Sequence, residues 1–163
     1  LHQSTQLCIE RLEEYVKQDS TVLDLGCGSG ILSIISLLLG AKSALSVDIE
    51  PGCIKVVSEN AAMNNISMDK ISIKSGNLLT DLSLRQAISG QKYDIILANI
   101  VADVIIELAP FVRGMLKENG VFISSGIIDE RLRDVHKGLE ENGFKIIGDY
   151  DKDVWACVVS ELV

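Results

Sequence analysis

The sequence predicts an α/β domain built on a doubly wound, mostly parallel sheet with an antiparallel hairpin at its C-terminal end. Three observations lead there. Short apolar runs alternate with stretches of helical spacing along most of the 163 residues, as expected of strands joined by crossover helices. The first of these runs leads into "DLGCGSG", an acid followed by glycines at every second position, where a parallel strand gives way to a helix. The tail, "FKIIGDYDKDVWACVVSEL", has two apolar runs around a polar turn and no helix between them, so those strands pair antiparallel.

Each element follows from its own pattern. Leu7, Cys8, Leu12, Tyr15 and Val16 form a near-helical stripe, predicting a helix over 5–17, with Thr5 as its N-cap. Thr21 to Leu25 read as a buried strand ending at the glycine turn. Ile31 to Leu39 carry few polar residues and predict a helix packed into the interior, stopped by Gly40. "SALSVDIEP" is a second strand, and Pro51 opens a helix reaching Asn64, because proline suits a first helical turn. "KISIKSGN" alternates and ends at Gly76-Asn77, giving a third strand. "YDIILANI" is a fourth, apolar enough to be buried on both faces and ending in polar Asn99. A helix over 103–116, the strand "GVFISSGI" and a helix over 129–142 precede the hairpin, whose turn falls at Asp151 to Asp153. Right-handed crossovers restrict the parallel part to a doubly wound topology. No repeat or linker divides the chain, so residues 1–163 read as one domain.

Composition narrows the function classes. The hydrophobic content is 47% and proline is scarce, which suits a packed core without disordered segments. The longest apolar run, Ile31 to Leu39, is interrupted by Ser33 and Ser36 and is too short to cross a bilayer. The N-terminus lacks a basic segment followed by an apolar one. The chain begins at Leu1 rather than Met, so it reads as a fragment or an excised domain. Cys8, Cys27, Cys53 and Cys157 are scattered and His2 and His136 lie far apart. That spacing argues against a metal site and a disulfide framework, and for a reducing cytoplasm. The net charge of −8 disfavours a general nucleic-acid surface. It suits a basic protein partner, and equally the plain solubility of an acidic domain.

The glycine turn indicates the ligand. In doubly wound sheets ligands lie beyond the carboxyl ends of the strands, where strand order reverses. Glycines there allow positive φ and let a ligand touch bare backbone. The second strand ends at Asp48, where a carboxylate can accept hydrogen bonds from both hydroxyls of a ribose. Turn and acid together indicate a nucleoside cofactor. The dinucleotide fingerprint does not fit, since Ile31 stands where its third small residue belongs. A pyrophosphate also needs no anion beside it, yet Asp24 lies two residues before Gly26. A cofactor with an ammonium and a sulfonium would welcome that charge, and S-adenosylmethionine is one.

"VLDLGCGSGILSI" with "VDIEP" and "KENGVFISSGI" resembles the seven-stranded, Rossmann-like class of S-adenosylmethionine-dependent methyltransferases. "LANI" at 97–100, "SGI" at 125–127 and "HQSTQLC" at 2–8 more specifically resemble the PrmA-type ribosomal protein methyltransferases. The resemblance covers nearly the whole chain. It implies methyl transfer from S-adenosylmethionine to amine nitrogens of a basic substrate, large-subunit ribosomal protein eleven. It also implies a separate N-terminal domain that captures the substrate, which these residues lack. The chain departs from the family's threonine stretch at Gln3-Ser4.

Carried over position by position, the resemblance implies that Gly26 meets the cofactor through its backbone and that Asp48 holds the ribose. Thr5 would close over the methionine end, Asn99 would stand beside the transferable methyl, and Asn77 would lie near the adenine. Asp24, Cys27, Gly28 and Ile49 complete the expected cofactor-binding set. Cys27 is a small turn residue on this reading and not a nucleophile. Cys8, Cys53, Cys157 and Trp155 read as packing residues, His136 and the Glu10, Glu13, Glu14 group as solvated, and His2 is unassigned.

The implied chemistry is in-line attack of an amine on a sulfonium methyl. A lysine of pKa near 10.4 must first lose its proton, at a cost of about 4.6 kcal/mol at pH 7. Asn99 is the candidate catalytic residue, its carbonyl aligning the amine. A same-fold methyltransferase with another acceptor, or a noncatalytic cofactor-binding module, would carry the same cofactor residues.

Overall fold

The computed structural model describes all 163 residues. In chain order the elements are α1 (Gln3–Tyr15), β1 (Thr21–Leu25), α2 (Ile31–Leu38), β2 (Ser43–Asp48), α3 (Cys53–Met63), β3 (Ile71–Ser75) and α4 (Leu82–Ile88). There follow β4 (Tyr93–Asn99), α5 (Ala102–Met115), β5 (Leu116–Ile128), α6 (Leu132–Glu141), β6 (Phe144–Lys152) and β7 (Trp155–Leu162). The seven strands form one sheet in the order β3-β2-β1-β4-β5-β7-β6. Strands β1 to β5 pair in parallel, and β7 lies antiparallel between β5 and β6. The expected doubly wound sheet with its terminal hairpin is present.

The periodicity of each strand distributes the helices. Val22, Ile95, Leu97 and Ile123 face one side, where Leu7, Leu12, Leu32, Val57 and other buried residues of α1, α2 and α3 cover them. Leu23, Ile96, Ala98 and Phe122 face the other, under Leu84, Ile105, Val112 and Leu139 of α4, α5 and α6. Because β1 sits between β2 and β4, the chain leaves β1 toward one edge of the sheet and later returns on its other side. The connections diverge above β1 and β4 and open a crevice there.

Three local features differ from the expectations. The cap of α1 is His2, whose ring accepts from the Ser4 N–H at 3.1 Å; Thr5 lies inside the first turn, so it is not the N-cap. Helix α4 was not anticipated: Asp81 caps it by accepting from the Leu84 N–H at 2.9 Å, and Leu84 and Ile88 bury one face. Strand β5 starts four residues before the expected "GVFISSGI". Leu116 already pairs with Tyr93, and a bulge over 117–120, with Asn119 at φ 67°, restores the register at Val121 opposite Ile95.

Candidate functional site

The crevice holds a cavity of about 390 Å³, lined by carboxyl-terminal strand residues and the segments just beyond them. This volume falls within the range of ordinary small-molecule sites. Four of the expected cofactor residues line it: Gly26, Asp48, Ile49 and Asn77. Leu78, Leu79, Ile100, Val101, Val104 and Leu108 form most of the remaining wall. The sequence reading missed that apolar wall. Its one legible signal was "IV" at 100–101, apolar residues placed past the end of a strand; Ile100 packs against the margin of the core, whereas Val101 is 64% exposed.

Asp48 ends β2 and braces the turn that ends β1. Its Oδ2 accepts from the Gly28 N–H at 2.9 Å, and its Oδ1 accepts from the Glu50 N–H at 3.0 Å. A carboxylate has about four acceptor positions, so each oxygen keeps one for a ligand. Gly28 therefore serves the turn as a donor to Asp48. Gly26 is at φ 74°, and a Cβ built on it would lie 2.5 Å from the Ile100 side chain. The turn thus packs backbone against Ile100 where any side chain would have to fit between them. Asn77 uses its Oδ1 on the Leu79 N–H at 3.0 Å, leaving its NH₂ group for the cavity it lines.

Asp24 is placed differently. It shares the strand face of Val22 and points toward α2, away from the cavity face of Leu25. Its carboxylate is almost wholly buried and accepts from the Ser33 hydroxyl at 2.8 Å, which is 2.6 Å from the Ser46 hydroxyl. Since Ser33 donates to the acid, Ser46 donates to Ser33, giving a directed chain of two buried hydroxyls. Burial pushes the Asp24 carboxyl up to about 6, while the Ser33 bonds hold it back. Cys27 is also turned inward, and burial pushes its thiol well above the usual range, as suits a packed turn residue and not a nucleophile.

Thr5 and Asn99 are brought together, 94 residues apart in sequence: the Asn99 NH₂ donates to the Thr5 hydroxyl at 3.2 Å. They occupy the α1 side of the sheet edge, while the cavity opens on the α5 side, with Ile100 between. His2 packs edge-on against Trp155, ring centroids 4.8 Å apart, and Trp155, half-buried, packs against the margin of the core as expected of a packing residue. His136 is not simply solvated; it pairs with Asp149 at 2.7 Å. Glu10, expected to be solvated, receives the Lys152 ammonium at 2.9 Å. Cys8 and Cys157 are fully buried, and Cys53 nearly so. No group of three or more His, Cys, Asp or Glu is placed to hold a metal ion.

Comparison with known proteins agrees with this architecture. The family model described as "Ribosomal protein L11 methyltransferase (PrmA)" matches residues 1–162. A protein of that name from Agathobacter rectalis is 41% identical over 163 residues, covering 98% of this chain and 50% of the relative. One from Clostridium botulinum is 44% identical, covering 99% of this chain and 49% of the relative. The chain thus spans about half the length of the curated relatives it matches. The crystal structure of a ribosomal protein L11 methylase from Lactobacillus delbrueckii subsp. bulgaricus superimposes with a TM-score of 0.89 at 35% identity, covering 99% of this chain and 79% of that one. A family-model match across nearly every residue, with relatives 41% and 44% identical over nearly the whole chain, leaves one assignment: the chain belongs to the ribosomal protein L11 methyltransferase (PrmA) family.

Proposed function

We propose that this chain transfers methyl groups from S-adenosylmethionine to amine nitrogens, lysine side chains and the N-terminal amine, of a large-subunit ribosomal protein in the cytoplasm. The observation that carries the reading is the cavity lined by Gly26 and Asp48, with the Thr5–Asn99 pair across Ile100 from it. The residues present fit the cofactor. An apolar wall of Leu78, Leu79 and Val101 suits a purine, Asp48 has acceptor positions for two ribose hydroxyls, and Gly26 offers bare backbone to a sulfur-bearing chain. Asp24 adds negative charge beneath the turn without reaching the cavity.

When bound, S-adenosylmethionine supplies an electrophilic methyl group on a sulfonium. The protein's part is orientation and a partly dry environment. Asn99 gives its NH₂ to Thr5, so its carbonyl oxygen is the free end, able to accept from an acceptor amine and align the lone pair. No carboxylate or imidazole stands within hydrogen-bond reach of Asn99, which supports loss of the amine proton to water before attack. Burial of an ammonium beside a positive sulfur favours that loss. The 163 residues are read as the methyltransferase domain, with capture of the ribosomal protein assigned to the rest of the molecule. Four free cysteines suit a reducing compartment, and no helix is long and apolar enough to cross a membrane.

The test combines the full-length protein, labelled S-adenosylmethionine and a mixture of ribosomal proteins, with mass spectrometry to locate the label. Label on lysine or α-amine nitrogens of one large-subunit protein supports the reading; label elsewhere, or none, overturns it.

A further inference from the structure

Asn99 and Ser125 are register partners at the carboxyl ends of β4 and β5. They hold two consecutive residues of α1. Asn99 donates to the Thr5 hydroxyl at 3.2 Å, and the Ser125 hydroxyl donates to the Ser4 carbonyl at 2.9 Å. Ser125 is fully buried, so this bond bridges 121 residues of sequence without competition from water. Its neighbour Ser124 is equally buried, but its hydroxyl has no partner. The side of Asn99 away from Thr5 is kept clear by Gly126 at φ 80°. A Cβ there would lie 3.1 Å from the Asn99 Oδ1 and 2.8 Å from the Ile100 carbonyl oxygen.

We propose that Ser125 is a positioning residue of the methyl-transfer site. By fixing the Ser4 carbonyl it holds the first turn of α1 where Thr5 accepts from the Asn99 NH₂, and so keeps the Asn99 side chain in place with its carbonyl oxygen left for the acceptor amine. An amide has two nearly isosteric ends and a hydroxyl can serve either; here Thr5 accepts from the NH₂ end, and the Oδ1 end lies on the open side beside Gly126. The inference rests on the reading of Asn99 given above, and extends it to a residue that touches neither cofactor nor acceptor.

The experiment uses the intact protein and the pair Ser125→Ala and Ser124→Ala. The two variants remove the same atom from adjacent buried positions, and only the first breaks the clasp; Ser125→Cys keeps a weak donor as partial rescue. The first readout needs no cofactor: hydrogen exchange of the Asn99 side-chain NH₂ followed by NMR, with Thr5→Val as the reference for a lost partner. Exchange should quicken in Ser125→Ala toward the Thr5→Val rate and stay unchanged in Ser124→Ala. The second is steady-state methylation, where Ser125→Ala should lower kcat about tenfold, as expected of a small misplacement, with acceptor KM and cofactor Kd little changed. Equal exchange and equal kcat in the two alanine variants overturn the proposal. A wild-type protein that neither binds S-adenosylmethionine nor methylates sinks the functional reading instead, and the exchange measurement still decides the clasp.

Discussion

The Asp48 carboxylate accepts a hydrogen bond from the Gly28 N–H at 2.9 Å, joining the end of β2 to the middle of the turn that follows β1. One acid thereby shapes the turn and borders the cavity next to it. Replacing Asp48 with Ala should weaken S-adenosylmethionine binding by about 1.5–3 kcal/mol, the range for hydrogen bonds to a charged group, roughly a tenfold to hundredfold rise in Kd. Titration calorimetry measures it, and an unchanged Kd removes Asp48 from the cofactor site.

Gly26 and Gly28 both have positive φ, yet only Gly26 faces an obstacle. An alanine at either position meets left-handed strain of about 1–2 kcal/mol. Gly26→Ala adds a collision with the Ile100 side chain, whereas the space around Gly28 is open. Urea unfolding should therefore show the larger loss for Gly26→Ala. Adding Ile100→Ala should cost less than the sum of the two single changes, because it removes the colliding methyl. Additive losses would mean that the contact carries no energy.

The pH dependence of stability should report Asp24. Its folded carboxyl titrates near 6, against an ordinary value of 3.8. Between those values the folded chain keeps a proton that the unfolded chain releases, so this contribution to stability is lost as pH rises through 6. The loss from pH 5 to pH 7 is on the order of 1 kcal/mol. Denaturant unfolding of the wild type and Asp24→Asn at the two pH values isolates it. The wild type should lose stability relative to the variant on going from pH 5 to 7. A constant difference contradicts the shift.

Asn99→Ala should reduce turnover much more than cofactor affinity, by on the order of tenfold to hundredfold in kcat if alignment of the amine is its task. Comparing kcat with the calorimetric Kd checks this. Equal turnover would exclude Asn99 from the chemistry.

The sheet, its helices and the hairpin were legible because each rests on local periodicity. Apolar spacing in α1, the run in β4 and the polar turn before Trp155 need no distant partner to be read. Helix α4 escaped because seven residues give fewer than two turns of pattern, and its clearest sign, Asp81 three residues before Leu84, is also common in turns. Thr5 was misplaced as a cap because His2 is an uncommon residue in that role; only the packing of its ring on Trp155 brings its nitrogen to the Ser4 N–H.

By itself the sequence determined a nucleoside-type turn, an acid one strand away, and an amide at the end of a buried strand. Only the tertiary structure decided which way these groups face. Alternation along β1 separates Asp24 from Leu25, but the helix that covers each face, and the face on which the cavity opens, depend on contacts with α2 and α5. So Asp48 meets the cavity, Asp24 meets Ser33, and Asn99 meets Thr5 across 94 residues. A strand's chemistry is written along the chain, whereas the partner of each side chain is set by what packs against it.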